Sequence, residues 1–157
     1  EQMLKAMMES EGDYVVAVDD DWQAYWEKRY GDVGFDTESL SIDEQNNITE
    51  LGLENPRIED IDARYIGLLK FSKEGLQHIV AILEEAYLQY EDRPWKQSGK
   101  TIRKACMTDL LQAVIESGWP VKAERFHNGW IEFDTNEDYE NACRWVEDGS
   151  IGEILRL

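Results

Sequence analysis

Proline, cysteine and positive charge are all scarce in this 157-residue chain, which has 3 Pro, 2 Cys and 16 Lys plus Arg against 34 Asp plus Glu. With so little proline and a hydrophobic share of 42%, low complexity and disorder are disfavoured and a folded protein is expected. The net charge of −18 repels polyanions, which excludes nucleic acid and an anionic membrane as expected partners. A phosphorylated small molecule needs a divalent cation to enter such a field. The two cysteines, Cys106 and Cys143, are far apart and lack a metal-type spacing, so free thiols are expected. There is no apolar run of about eighteen residues, and the stretch from Glu1 to Asp13 has neither a basic flank nor an apolar signal core. Neither secretion nor a membrane span is expected, and the expected location is cytoplasmic.

What is present is an alternation of strand and helix patterns over residues 1–157, read as a single α/β domain. Leu4, Met7 and Met8 suit the inner face of a short first helix, and Tyr14 to Val18 reads as a buried strand ending in Asp19-Asp20-Asp21. Trp22, Tyr25, Trp26 and Arg29 follow at helical spacing. Phe35 to Ile42 and Asn47 to Leu51, parted by the polar turn from Asp43 to Asn46, suggest a β-hairpin. Ala63 to Phe71 is the next strand. Ser72 caps a helix with an expected inward stripe of Leu76, Ile79, Val80, Leu83, Tyr87 and Tyr90. After the loop from Glu91 to Lys104, Thr108 is the expected cap of a helix that Gly118 stops before the strand Val121 to Phe126. Gly99-Lys100-Thr101 is an ordinary loop rather than a P-loop, because Pro94 stands where the first Gly is needed and no strand precedes it. Thr135, with Asp138 three residues on, starts the last helix, in which Tyr139, Ala142, Cys143 and Val146 are expected to face inward.

The stretch HNGWIEFD, His127 to Asp134, carries the chemistry. Read as a strand, it places Glu132 and Asp134 on one face, since side chains alternate with period two. Ligands of α/β sheets sit at the carboxyl ends of strands, where Asp134 lies just before a helix N-terminus. Such a pair suits Mg²⁺ through oxygen ligands. A plainer alternative stands beside this on spacing alone: Asp134 accepts hydrogen bonds from the next turn and Glu132 is solvated.

Taken in order, the segments Tyr14 to Arg29, Asp36-Thr37-Glu38, Ala63 to Leu68, Thr108 to Leu111 and Gly129 to Asp134 with Asp138 resemble the nucleoside-triphosphate transferase family. Within it, the sequence is most similar to sugar-phosphate and choline-phosphate nucleotidyltransferases. The resemblance implies a Rossmann-like layered sheet with flanking helices, of the nucleotide-diphospho-sugar transferase type. It also implies Mg²⁺-dependent transfer of a nucleotidyl group from a nucleoside triphosphate to a phosphorylated acceptor. By the resemblance Asp134 is a metal ligand, with Glu132 beside it at metal or substrate, and Asp36 and Glu38 lie on the acceptor side. Trp130, Trp22 and Tyr65 are candidates to line the acceptor pocket, since aromatic faces with nearby carboxylates suit a quaternary ammonium group such as choline.

The family's opening strand, its Gly-rich loop with a basic pair and the Asp that follows have no counterpart here. The expectation is therefore a chain truncated at the N-terminus, the C-terminal two-thirds of such a protein. It would pair with a separate chain supplying the first half or dimerise through an exposed sheet edge beside the Tyr14 strand. A Lys or Arg commonly follows the Gly of Leu51-Gly52-Leu53 in relatives and is absent, which leaves Arg57, Lys70, Lys73, Arg29, Arg64 and Lys104 as substitutes for holding the acceptor phosphate. The alternative function is a non-catalytic binding remnant or self-associating domain that has lost the triphosphate loop. A sugar-nucleotide glycosyltransferase is a third reading.

Overall fold

The strand Tyr14–Asp19 (β1) is apolar at nearly every position, and such a run is stable only with both faces covered. In the computed structural model, which describes residues 1–155, all six of its residues are buried. Tyr14, Val16 and Val18 point into the main core, with Leu40, Leu51, Leu111 and Val114. Val15 and Ala17 point to the opposite face, against Met7, Ile66 and Phe126.

The described residues form a mixed α/β fold with a five-stranded open sheet flanked by helices. The helix Gln2–Glu9 (α1) precedes β1, and Trp22–Tyr30 (α2) follows it. The hairpin Glu38–Ile42 (β2) and Asn47–Glu54 (β3) comes next, then Arg64–Phe71 (β4) and the long helix Lys73–Gln89 (α3). Met107–Glu116 (α4), Val121–Phe126 (β5) and Asn136–Glu147 (α5) complete the order. The sheet runs β2-β3-β5-β1-β4, with β1 and β5 parallel and the other pairings antiparallel.

Local chemistry explains the boundaries. The Asp43 carboxylate accepts from the backbone N–H groups of Gln45 and Asn47, closing the hairpin turn. Ser72 caps α3 by accepting from Gly75 N–H at 2.9 Å, and Thr135 caps α5 within a reciprocal capping box with Asp138. Gly52 takes a positive φ of 91°, and a Cβ there would meet Thr108 Cβ at 3.0 Å, so only glycine lets β3 approach α4 so closely.

Several expectations are corrected. The Tyr14 strand is no exposed edge but lies between β4 and β5. Residues 127–134 form no strand; they run as an irregular segment whose Trp130 and Ile131 pack against α2. Cys106 rather than Thr108 is the N-cap of α4. On α1 Met7 is buried, whereas Leu4 and Met8 are exposed. α3 turns Ile79 and Ala86 inward and leaves Leu76, Val80 and Tyr87 exposed. α5 buries Asp138, Asn141 and Ala142, not Tyr139 and Val146, because its face is chosen by a buried ion pair rather than by its apolar residues. No described helix is long and apolar enough to cross a membrane.

Candidate functional site

Three elements converge beside the carboxyl end of β1. The first is β4, whose pairing to β1 shifts register between Val16 and Val18: Val16 faces Leu69 but Val18 faces Tyr65. Extra residues on one strand make a bulge and re-aim the side chains around it, and Gly67, at φ +79°, supplies the left-handed backbone. The second is the segment from Phe35 to Glu38. Trp26 Nε1 donates to the Phe35 carbonyl at 2.8 Å and so fixes its start, while Asp36 takes a positive φ of 50°, uncommon for a residue with a side chain. The third is the irregular segment carrying Glu132 and Asp134.

That third segment has no backbone ladder, so side chains hold it. The buried Asp19 carboxylate accepts from Asn128 N–H at 2.8 Å and from Trp130 Nε1 at 2.7 Å. Tyr25 Oη accepts from Glu132 N–H at 3.0 Å. Arg29 completes the arrangement. Its guanidinium donates through Nε to Asp138 Oδ1 at 2.7 Å, through Nη2 to Asp134 Oδ2 at 2.7 Å and through Nη1 to Glu132 Oε1. The side chain of Arg29 is only 1% exposed, so these bonds form where water competes little. The carboxylates hold the Arg29 guanidinium protonated, far above its ordinary range despite burial. Asp138 is held far below the usual carboxylate range, chiefly by Arg29 and against its own burial.

The resulting cleft has a volume of ≈ 290 Å³. Asp36, Glu38, Tyr65, Glu132 and Asp134 all line it, as do Arg64, Cys106 and Thr108. Segments far apart in sequence thus bring most of the expected site residues together. Trp22 is not among them; it lies buried in the aromatic core with Tyr25 and Trp26. Trp130 packs against that core too and does not line the cleft. Burial pushes the Tyr65 hydroxyl up to about 12, which keeps it a proton donor. Burial also lifts Glu38 above its ordinary value, against the pull of Arg64.

Among the described residues, no group of three His, Cys, Asp or Glu is assembled around a metal position. Magnesium is often held by one or two protein carboxylates plus waters and substrate phosphates, so a full cage is unnecessary. Asp134 fits that smaller demand: its side chain is 65% exposed and only Oδ2 is engaged by Arg29. Glu132 likewise uses Oε1 for Arg29.

No protein-family model matches the sequence. A curated relative, CTP:phosphoglutamine cytidylyltransferase of Campylobacter jejuni subsp. jejuni serotype O:2 (strain ATCC 700819 / NCTC 11168), is 31% identical over 137 residues. The match covers 87% of this chain and 52% of the relative, so the chain spans about half the relative's length. This supports a nucleotidyltransferase relationship. It agrees with the resemblance that the ordered segments carry and with the α/β sheet.

Two arginines, Arg64 in the cleft wall and Arg29 beneath its carboxylates, carry more weight than sequence reasoning gives them. Arg29 shares helical spacing with Trp22, Tyr25 and Trp26, and a cation on a buried aromatic face must find anionic partners; that spacing was the available signal. Arg64 is one of six candidates for the acceptor phosphate in the sequence and is not singled out there, because a strand arginine can face either side. Lys70 is tied elsewhere, donating to the Ser10 carbonyl near the end of α1.

Proposed function

We propose that this chain carries the acceptor side of a nucleotidyltransferase site, for Mg²⁺-dependent transfer from a nucleoside triphosphate to a phosphorylated acceptor. The observation that carries the reading is the cleft in which Asp36, Glu38, Tyr65, Glu132 and Asp134 meet. The relative's name gives CTP as its donor and phosphoglutamine as its acceptor; CTP is accordingly the donor to try first.

In this reaction an acceptor phosphate oxygen forms a bond to the α-phosphorus, the bond from that phosphorus to the oxygen bridging to the β-phosphorus breaks, and pyrophosphate leaves with the electron pair. Asp134, with Glu132 beside it, would hold Mg²⁺, which neutralises charge developing on the phosphate oxygens. Asp36 and Glu38 bind the acceptor. Tyr65 stays protonated and donates a hydrogen bond. Arg29 touches no substrate: it fixes both carboxylates of the irregular segment before the metal arrives, so little ordering is required at the moment of reaction.

The test is Mn²⁺ binding to the wild-type chain and to Asp134→Asn, followed by paramagnetic broadening of amide resonances. Broadening centred on Glu132 to Thr135 and Asp36, lost in the variant with folding intact, is expected. Identical Mn²⁺ binding in Asp134→Asn would defeat the metal assignment. The non-catalytic alternative is distinguished by pyrophosphate release from CTP with an acceptor, measured on the whole protein.

A further inference from the structure

The outward face of α5 carries an apolar stripe that no described residue covers. Tyr139 is 63% exposed and Val146 60%, with Cys143 half-buried between them, so the three follow one another at i, i+4 and i+7 on a single helix face. Phe133 extends the stripe. Its side chain is 54% exposed, and its ring lies 6.2 Å from that of Tyr139 in an edge-to-face arrangement. An isolated exposed apolar residue calls for no explanation, whereas a contiguous aromatic and aliphatic patch marks an interaction site. The stripe faces outward because Arg29 claims the other side of the helix through Asp138.

Charge decides the occupant. Glu140 and Glu147 each follow a stripe residue by one position, which puts both carboxylates on the same flank of the stripe. Both are exposed, as is Glu137, and among the described residues none of the three has an ion-pair partner. The one cation of α5, Arg144, is turned to the side-chain carbonyl of Asn141. A second copy of the chain would bring the same carboxylates and another net charge of −18 to the contact. The stripe is also short: Tyr139 to Val146 runs along about 10 Å of helix, a narrow footing for the roughly 800 Å² per partner of a stable dimer. A short helix laid along it, with apolar side chains toward Tyr139 and Val146 and lysine or arginine toward Glu140 and Glu147, meets both demands. We propose that the outer face of α5 docks a basic amphipathic helix of a partner protein. Glu132 and Asp134 line the cleft and Phe133 stands between them in the chain, so the docked helix rests against the segment that carries both carboxylates. This proposal does not depend on the acceptor-side reading.

The test uses two fluorescein-labelled synthetic helices that share a leucine face, one with lysine and one with glutamate on its other face. Each is titrated into the chain at low and high salt and followed by fluorescence anisotropy. The lysine peptide is expected to bind and the glutamate peptide is not. Replacing the stripe, Tyr139→Ser with Val146→Ser, weakens the lysine peptide about tenfold or more. Replacing the rim, Glu140→Gln with Glu147→Gln, weakens it several-fold and flattens its salt dependence. Leu76→Ser with Val80→Ser removes exposed apolar surface from α3 instead and leaves the affinity unchanged. Thermal unfolding establishes that each variant folds; should the stripe variant unfold, the rim variant and Phe133→Ser carry the comparison. Wild-type affinity in the folded α5 variants, an equal loss in the α3 variant, or a wild type that does not bind the lysine peptide overturns the proposal. A wild-type dimer in sedimentation equilibrium that the stripe variant loses makes a second copy the occupant and overturns it too.

Discussion

Two arginines lie against Trp26, Arg29 at 5.5 Å and Arg64 at 4.2 Å from its ring centroid, and they sit in opposite electrostatic situations. Arg29 pairs with Asp138, Asp134 and Glu132. Arg64 pairs with none of the described residues and keeps a buried donor unused. The same aromatic surface therefore supports one cation that holds the carboxylates of the irregular segment and one that no described residue pairs. A saturated guanidinium rigidifies the carboxylates around it, whereas an unsaturated one holds unused binding energy.

If that contrast is right, replacing each arginine by methionine has opposite consequences. Arg29→Met leaves the buried Asp138 carboxylate without its main partner and is expected to cost about 3–5 kcal/mol of stability, read from urea denaturation. The acid limb tells the same story. Asp138 titrates lower folded than unfolded, so the stability it lends is fully present above its ordinary value of 3.8 and is lost as pH falls through the depressed folded value. Unfolding midpoints compared between pH 5 and pH 2 should drop steeply in the wild type, and the Asp138 share of that drop should shrink in Arg29→Met. Arg64→Met, by contrast, removes a desolvated cation that has no ion pair among the described residues, and its unfolding free energy should stay within about 1 kcal/mol of the wild type. Thr135→Ala removes the cap that positions Asp138 for Arg29 and should cost about 1 kcal/mol. Asp134→Asn, on a largely exposed side chain, should change stability least, by about 0.5 kcal/mol or less.

The order of elements was legible in the sequence because apolar periodicity and caps are local signals. β1, the hairpin turn at Asp43 and the Ser72 and Thr135 caps are all encoded within a few residues. Helix orientation was less legible. The expected inward residues of α5, Tyr139 and Val146, are exposed because Asp138 has to face Arg29, and that ion pair spans the distance between α2 and α5. The segment 127–134 reads as a strand because Trp130, Ile131 and Phe133 are its apolar part and Glu132 and Asp134 fall on alternate positions; in the fold it is anchored by Asp19, Tyr25 and Arg29 instead of a neighbouring strand. The grouping of Asp36, Glu38, Tyr65, Glu132 and Asp134 came from the ordered resemblance rather than from any single spacing. Arg64 depends on the β4 bulge and on Trp26, which no local pattern announces.

The most direct test is a ¹H–¹⁵N spectrum of the wild-type chain and of Asp134→Asn, recorded while Mn²⁺ is added. The account predicts that amide resonances from Glu132 to Thr135 and that of Asp36 broaden in the wild type and stay sharp in the variant. Equal broadening of these resonances in the two folded proteins would contradict it.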